Sequence, residues 1–143
     1  MPATRVLFVC LGNSCRSLMA EALARHLAPD LIEASSAGLM ALGYVAPPTF
    51  AVLREIGIAG DGLVSKPLRV MDLDSFDLVI NLTGRAIEKH LDGRALTVED
   101  WEVSDPFGSE LGVYREIREE IEQRVLDLID SLRAGEKSAS TTD

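Results

Sequence analysis

The segment near the N-terminus constrains the fold of this chain more than any other part of it. Residues 6–9 are a continuous apolar run, which is typical of a central strand of a parallel sheet, buried on both faces. A short loop containing Gly12 follows, and a helical pattern then begins at Ser17 and stops before Pro29. A strand, a glycine-containing loop and a helix in this order predict an α/β fold. Ligands of such folds bind at the carboxyl edge of the sheet, where this loop lies.

Strands and helices alternate along the rest of the chain. We predict further strands over 31–36, 77–82 and, more briefly, within 95–103, and further helices over 47–56, 85–91 and 112–132. The last helix has an apolar stripe formed by Val113, Ile117, Ile121, Val125, Leu128 and Leu132. Ser17, Glu21 and Arg25 are expected on the polar side of the first helix. The pattern predicts one three-layer α/β domain over 1–134 with a mainly parallel sheet, followed by a polar, disordered tail over 135–143.

Composition excludes several classes of function. The net charge of −9 and the pI near 4.7 argue against nucleic acid as a partner, since phosphate contacts need clustered Lys and Arg. No apolar run approaches the roughly 20 residues that cross a bilayer, and the N-terminus lacks the pattern of a secretion signal. We therefore expect a cytoplasmic protein without a membrane partner. Cys10 and Cys15 are the only cysteines, and their close spacing indicates reactivity rather than a disulfide framework.

The loop over 10–16 has the features of an anion site. Its N–H groups converge at the N-terminus of a helix, where the helix dipole adds roughly half a positive charge. Gly12 lets the backbone approach a ligand closely, and Asn13 tolerates left-handed dihedral angles. Arg16 can hold two oxygens of the same anion. A tetrahedral oxyanion is the ligand that this loop predicts.

Cys10 lies at the base of the predicted anion site. The positive potential that binds an oxyanion also favours a thiolate over a thiol. One loop would therefore supply both the nucleophile and the binding site for its substrate. The alternative is a buried cysteine at the end of a strand, with Arg16 on the surface. Cys15 has two interpretations: a small residue that fills the loop, or a thiol that traps oxidised Cys10 as a disulfide.

The sequence VCLGNSCRS over 9–17, with MAEA over 19–22, resembles the start of the low-molecular-weight protein tyrosine phosphatase superfamily, which includes the thioredoxin-coupled arsenate reductases. The resemblance continues at 35–38, 76–80 and Asp105-Pro106. It implies a four-stranded parallel sheet flanked by helices, and phosphatase chemistry without a metal or organic cofactor.

The resemblance also implies roles for individual residues. The nucleophile matches Cys10, the oxyanion-binding arginine matches Arg16, and the general acid matches Asp105. Asn13, Ser17 and Ser36 match polar residues that support the loop. We expect the following residues to contact the substrate: Leu11, Gly12, Asn13, Ser14, Cys15, Ser17 and Phe107. Leu39, Met40 and Tyr44 are further candidates for the wall of the site.

A cation site is one further implication of the resemblance. In some arsenate reductases, Asn13, Glu21 and Ser36 would match ligands of a monovalent cation beneath the loop. In a metal-free protein the same residues would be polar supports of the loop. The residues alone leave both interpretations open.

Two departures from the family pattern separate its subfamilies. Tyrosine phosphatases of this class usually have aromatic residues after Asp-Pro, whereas here Phe107 is followed by Gly108. Coupled reductases need a cysteine relay after the third strand, whereas 81–90 contains no cysteine and Thr83 lies near the position of the first relay thiol. Arsenate reduction would therefore need an external thiol reductant.

The sequence thus predicts a cysteine-dependent phosphomonoesterase that acts on aryl phosphates or on a phosphotyrosine protein. The alternatives are an arsenate reductase that uses an external thiol, and a module that binds an oxyanion or a phosphorylated partner without turnover.

Overall fold

A parallel β-sheet forms the centre of the protein, in a computed structural model that describes residues 2–141 and their side chains as far as 135. The strands are β1 (Thr4–Cys10), β2 (Ile32–Gly38), β3 (Leu78–Asn81) and β4 (Val98–Asp100), in the spatial order β2-β1-β3-β4. All three strand pairings are parallel. The predicted four-stranded parallel sheet is therefore confirmed.

From Val6 onward the side chains of β1 alternate between two cores, which is why this part of the strand is apolar throughout. Val6, Phe8 and Cys10 face a core shared with the α-helices, whereas Leu7 and Val9 face a second, smaller core. Trp101 packs against Phe8 with ring centroids 5.7 Å apart. β1 is one of the two inner strands and is buried on both faces, so the loop that follows it starts from the middle of the sheet.

Three α-helices cover the first core: α1 (Arg16–Leu27), α2 (Pro47–Arg54) and α3 (Leu111–Thr141). The start of α2 has Pro47 and Pro48 in its first turn, as the sequence predicts. Part of the predicted stripe of α3 is wrong, because Val113 is exposed and Tyr114 is buried in its place. The helix also continues beyond the predicted end at 132. Residues 142 and 143 of the predicted tail lie outside the described residues, and its disorder stays a prediction.

The second core is covered by short 3-10 turns at 68–70, 73–75 and 88–90. The predicted helix over 85–91 is wrong, because polar side chains form hydrogen bonds with the backbone at its first residue. Asn81 Nδ2 donates to the Arg85 carbonyl over 2.7 Å, and Thr83 Oγ1 accepts the Arg85 N–H over 3.0 Å. These bonds hold 81–85 in a turn that competes with a helical start.

None of the helices in the described part of the chain is long and apolar enough to cross a membrane.

Candidate active site

The loop over 10–16 lies where β1 ends and α1 begins, and its carbonyl groups are held by the segment after β2. The N–H groups of Leu39, Met40 and Leu42 donate to the carbonyls of Cys10, Leu11 and Gly12 over 3.1, 2.8 and 2.9 Å. The Ser14 carbonyl accepts from the Ala46 N–H and from Thr49 Oγ1. Among the described residues, by contrast, the N–H groups of 11–15 have no protein acceptor. The loop therefore presents donors, as an anion site requires.

Two residues let this loop fold so tightly. Asn13 has a φ of 45°, in the left-handed region that asparagine tolerates. At Gly38 a Cβ atom would lie 2.8 Å from the Leu11 carbonyl oxygen and 2.9 Å from the Asn13 nitrogen. Gly38 therefore lets the end of β2 pack directly against the loop.

The side chain of Asn13 lies beneath the loop and connects it to its supports. Its Nδ2 donates to Ser17 Oγ over 2.7 Å and to Ser36 Oγ over 3.0 Å, and its Oδ1 accepts the Lys66 N–H over 2.8 Å. The Lys66 N–H fixes the orientation of the Asn13 amide. Since Ser17 Oγ accepts from Asn13, its single hydrogen is free to be donated elsewhere.

That hydrogen can be donated to the sulfur of Cys10. Cys10 Sγ lies 2.8 Å from Ser17 Oγ, and the cysteine is 2 % exposed. With the hydroxyl as donor, the bond stabilises an anionic sulfur at the base of the loop. The structure thus brings together the Cys10 thiol, the Ser17 hydroxyl and the N–H groups of the loop. Nucleophilic attack by sulfur on a bound oxyanion requires these groups in one place.

Arg16 is buried and anchored from one side. Its Nη1 donates to the carbonyls of Leu82, over 2.6 Å, and Val103, over 3.1 Å, both of which follow strands of the sheet. Its Nε is buried without a partner among the described residues, and its Nη2 lies 3.5 Å from Asp105 Oδ2. This anchoring leaves Nε and Nη2 for two oxygens of a bound anion.

Asp105 lies in the loop between β4 and α3, with 45 % of its side chain exposed. Its Oδ1 accepts the Phe107 N–H over 3.1 Å, and the Ser109 N–H donates to the Pro106 carbonyl over 2.8 Å. Gly108, with a φ of 82°, completes this turn, which explains why a second aromatic residue is absent there. The carboxyl group of Asp105 therefore lies beside Arg16 and is accessible to solvent.

A cavity of about 200 Å³ opens above the loop. It is lined by Cys10, Leu11, Gly12, Ser14, Cys15, Arg16, Met40, Leu42, Asp105 and Phe107.

Most residues predicted for the site line this cavity, but four do not. Asn13 and Ser17 are completely buried beneath the loop. The predicted wall is corrected in part: Met40 lines the cavity, whereas Leu39 and Tyr44 do not. The sequence missed Leu42, which covers Gly12 with its Cγ 3.1 Å from where a Cβ of Gly12 would lie.

Cys15 is a buried neutral thiol. Burial raises the pKa of Cys15, and its Sγ donates a hydrogen bond to Tyr114 Oη over 3.5 Å. Burial likewise raises the pKa of Tyr114. Cys10 and Cys15 are both free cysteines.

The two residues predicted on the polar side of α1 near the loop are in fact buried. Ser17 is 0 % and Glu21 1 % exposed. Glu21 accepts from Ser36 Oγ over 2.6 Å and pairs with Arg25 Nη1 over 2.8 Å and Lys66 Nζ over 3.7 Å. Within the described residues, no group of three or more His, Cys, Asp or Glu side chains could hold a metal ion.

Comparison with known proteins identifies the family of this chain. The family model for low molecular weight phosphotyrosine protein phosphatase matches residues 5–138. A glutaredoxin arsenate reductase from Synechocystis is 37 % identical, over 87 % of this chain and 95 % of its own. A protein-arginine-phosphatase from Bacillus subtilis is 33 % identical, over 90 % of this chain and 96 % of its own.

A solved structure supports the same fold. An arsenate reductase in the phosphate binding state has a TM-score of 0.81 at 36 % identity, with 90 % of this chain and 98 % of that chain covered. The predicted superfamily and fold class are thereby confirmed, and with them the predicted class of cysteine-dependent phosphatases, in which arsenate reductases also occur. The chain belongs to the low molecular weight phosphotyrosine protein phosphatase family.

Proposed function

We propose that this protein hydrolyses phosphomonoesters through a covalent phosphate on Cys10. The observation that carries the proposal is the arrangement around one cavity: Cys10 Sγ with a hydroxyl oxygen at 2.8 Å, N–H groups of 11–15 that have no acceptor in the described part of the chain, and Arg16 beside Asp105. These groups match the needs of a phosphoryl transfer in which charge spreads over three equatorial oxygens.

The first step is displacement at phosphorus. The Cys10 thiolate attacks, an S–P bond forms, and the bond from phosphorus to the leaving oxygen breaks. The carboxyl group of Asp105 donates its proton to that oxygen, which leaves as an alcohol or phenol. The loop N–H groups and the Arg16 Nε and Nη2 hold the equatorial oxygens.

The second step regenerates the enzyme. The Asp105 carboxylate takes a proton from a water molecule, whose oxygen attacks phosphorus while the S–P bond breaks. Inorganic phosphate and the Cys10 thiolate are the products. The Ser17 hydroxyl stabilises the thiolate as leaving group in this step.

Arsenate reduction is the second candidate, and two observations favour it. Relatives and solved structures that cover most of this chain are named arsenate reductases, and the turn at Gly108 leaves one aromatic side chain, Phe107, on the cavity wall. With Thr83 bonded into a turn and two cysteines in the chain, the second electron would come from an external thiol. Cys10 would attack arsenate and form an S–As bond as water leaves. The external thiol would then attack the Cys10 sulfur, forming a mixed disulfide as the S–As bond breaks and arsenite is released. A second thiol would displace Cys10 and leave with the first thiol as a disulfide.

The test compares these reactions on one preparation. We expect the wild-type protein to hydrolyse p-nitrophenyl phosphate. Rates with phosphotyrosine and phosphoarginine then rank these two substrates. Cys10→Ser should abolish hydrolysis of all three. Consumption of NADPH with arsenate, glutathione, glutaredoxin and glutathione reductase, in a preparation inert toward the phosphate esters, would establish the arsenate reductase instead. Binding of phosphate without either activity would indicate a sensor of oxyanions and contradict both candidates.

A further inference from the structure

Glu21 is a charged group buried directly under the oxyanion loop. It is 1 % exposed, and its hydrogen-bond chain leads to the nucleophile: Ser36 Oγ donates to it, Asn13 Nδ2 donates to Ser36 and to Ser17, and Ser17 Oγ contacts Cys10 Sγ. An unbalanced buried carboxylate is costly, and its negative charge would oppose an anion in the loop above. Glu21 therefore requires positive charge close by.

Two side chains of this protein supply that charge. Arg25 Nη1 lies 2.8 Å from Glu21 Oε2, and Lys66 Nζ lies 3.7 Å from Glu21 Oε1. Lys66 belongs to the irregular segment before the first 3-10 turn, and its backbone is hydrogen-bonded to the loop and to the end of β2. Its N–H donates to Asn13 Oδ1 over 2.8 Å, and its carbonyl accepts the Gly38 N–H over 2.9 Å.

The residues that match cation ligands do not fit a monovalent cation here. Glu21 has two cationic partners, Asn13 Oδ1 accepts the Lys66 N–H, and Ser36 Oγ accepts from Asn13 and donates to Glu21. Each candidate ligand oxygen is thus engaged within the protein. A further cation at the Glu21 carboxylate would be repelled by the Lys66 ammonium group.

We propose that Lys66, together with Arg25, takes the place of a monovalent cation beneath the loop, and that Lys66 is a positioning residue for oxyanion binding. Its ammonium group balances Glu21, and its backbone orients Asn13, which in turn directs the Ser17 hydroxyl at Cys10. The affinity of the loop for an oxyanion is then independent of potassium. The proposal requires that the loop binds an oxyanion, and it holds whether the reaction is hydrolysis or reduction.

The experiment measures phosphate binding without turnover, from the protection of Cys10 against iodoacetamide by inorganic phosphate. Potassium chloride is compared with tetramethylammonium chloride at constant ionic strength. We expect the wild-type affinity for phosphate to be the same in both salts. Lys66→Met should weaken it by roughly 3- to 30-fold, and Lys66→Arg, which keeps the charge, should restore most of it.

Controls separate positioning from general stability. Lys89→Met removes a lysine from the 3-10 turn at 88–90, and it should leave phosphate affinity unchanged. Where p-nitrophenyl phosphate is hydrolysed, Lys66→Met should raise KM more than it lowers kcat. Thermal unfolding shows whether Lys66→Met is folded. The comparison of the two salts uses the wild-type protein and does not depend on any variant.

Two results would overturn the proposal. One is a wild-type affinity for phosphate that rises with potassium, since this would reveal a cation site. The other is a folded Lys66→Met that protects Cys10 as well as Lys89→Met does. Failure of phosphate to protect any variant, wild type included, would instead contradict the oxyanion site itself.

Discussion

Cys10 Sγ lies 2.8 Å from Ser17 Oγ, and Asn13 Nδ2 lies 2.7 Å from the same hydroxyl oxygen. The Asn13 amide donates to that oxygen, which leaves the hydrogen of the Ser17 hydroxyl available for a bond to the sulfur. The donor thus comes from the first turn of α1, and its direction is set by a residue of the loop itself.

Ser17→Ala should therefore weaken the nucleophile. The loss of a hydrogen bond to a charged group predicts a fall in kcat/KM of roughly 10- to 100-fold. Alkylation of Cys10 by iodoacetamide near neutral pH should slow as well. Ser75→Ala is the matched control, because Ser75 Oγ bonds to the Asp72 carbonyl at the surface. An unchanged alkylation rate would show that the sulfur does not depend on this donor.

Asp105→Asn should separate catalysis from binding. Loss of the general acid predicts a fall in kcat of roughly 10²- to 10⁴-fold, larger for phenyl phosphate than for p-nitrophenyl phosphate, whose leaving group needs a proton less. Removing the carboxylate 3.5 Å from Arg16 Nη2 should at the same time tighten inhibition by phosphate. The measurements are kcat for both esters and the inhibition constant of phosphate. Equal losses for the two esters would argue against proton donation by Asp105.

Phe107→Ala should change the preference for aromatic substrates. Phe107 lines the cavity and is 47 % exposed, so it is available to pack against a phenyl ring. We expect KM for p-nitrophenyl phosphate to rise by about 2- to 12-fold, whereas inhibition by inorganic phosphate should not change. Leu126→Ala, another exposed apolar residue, on α3, is the control. A parallel weakening of phosphate binding would mean that the ring acts by shaping the Asp105 loop.

Cys15 should react much more slowly than Cys10. Burial raises the pKa of the Cys15 thiol and keeps it protonated near neutral pH, and its Sγ is bonded to Tyr114 Oη. Mass spectrometry after limited treatment with iodoacetamide should find the label on Cys10, and phosphate should reduce that labelling. Cys15→Ala should leave the rate of Cys10 alkylation unchanged. Labelling of both cysteines at similar rates would contradict a Cys15 thiol that stays protonated near neutral pH.

Glu55 should stabilise the protein in a pH-dependent way. Hydrogen bonds and ion pairs with Arg115 and Arg118 of α3 lower its pKa from 4.5 to about 2. Its folded-state pKa lies below the unfolded value, so its contribution is complete above pH 4.5 and is lost as the pH falls through about 2. Urea unfolding of Glu55→Gln should show lower stability than wild type near neutral pH. The difference should shrink in acid, and Glu33→Gln should show a smaller effect.

The local sequence of residues 4–27 determines much of the site. One short segment encodes a strand that is apolar from Val6 onward, a loop with Gly12 and Asn13, and a helix that begins at Arg16. Local patterns of this kind predict where β1 ends, where α1 begins and therefore where the N–H groups converge. Asp105 was found by its match to a family motif, since Asp-Pro by itself predicts no more than a turn.

The tertiary structure decided what surrounds that segment. Glu21 has the helical position of a polar surface residue, but the approach of Ser36 and Lys66 buries it and makes it part of the support of the loop. The anchoring of Arg16 depends on the carbonyls of Leu82 and Val103, which are 66 and 87 residues away along the chain.

Periodicity along a sequence reports which faces of an element are apolar, and it carries no information on which distant polar groups will meet. For this reason, the nucleophile and its loop were predictable from neighbouring residues. The charge balance under the loop and the anchoring of the arginine arise only when the parallel strands bring their carboxyl ends to one edge of the sheet.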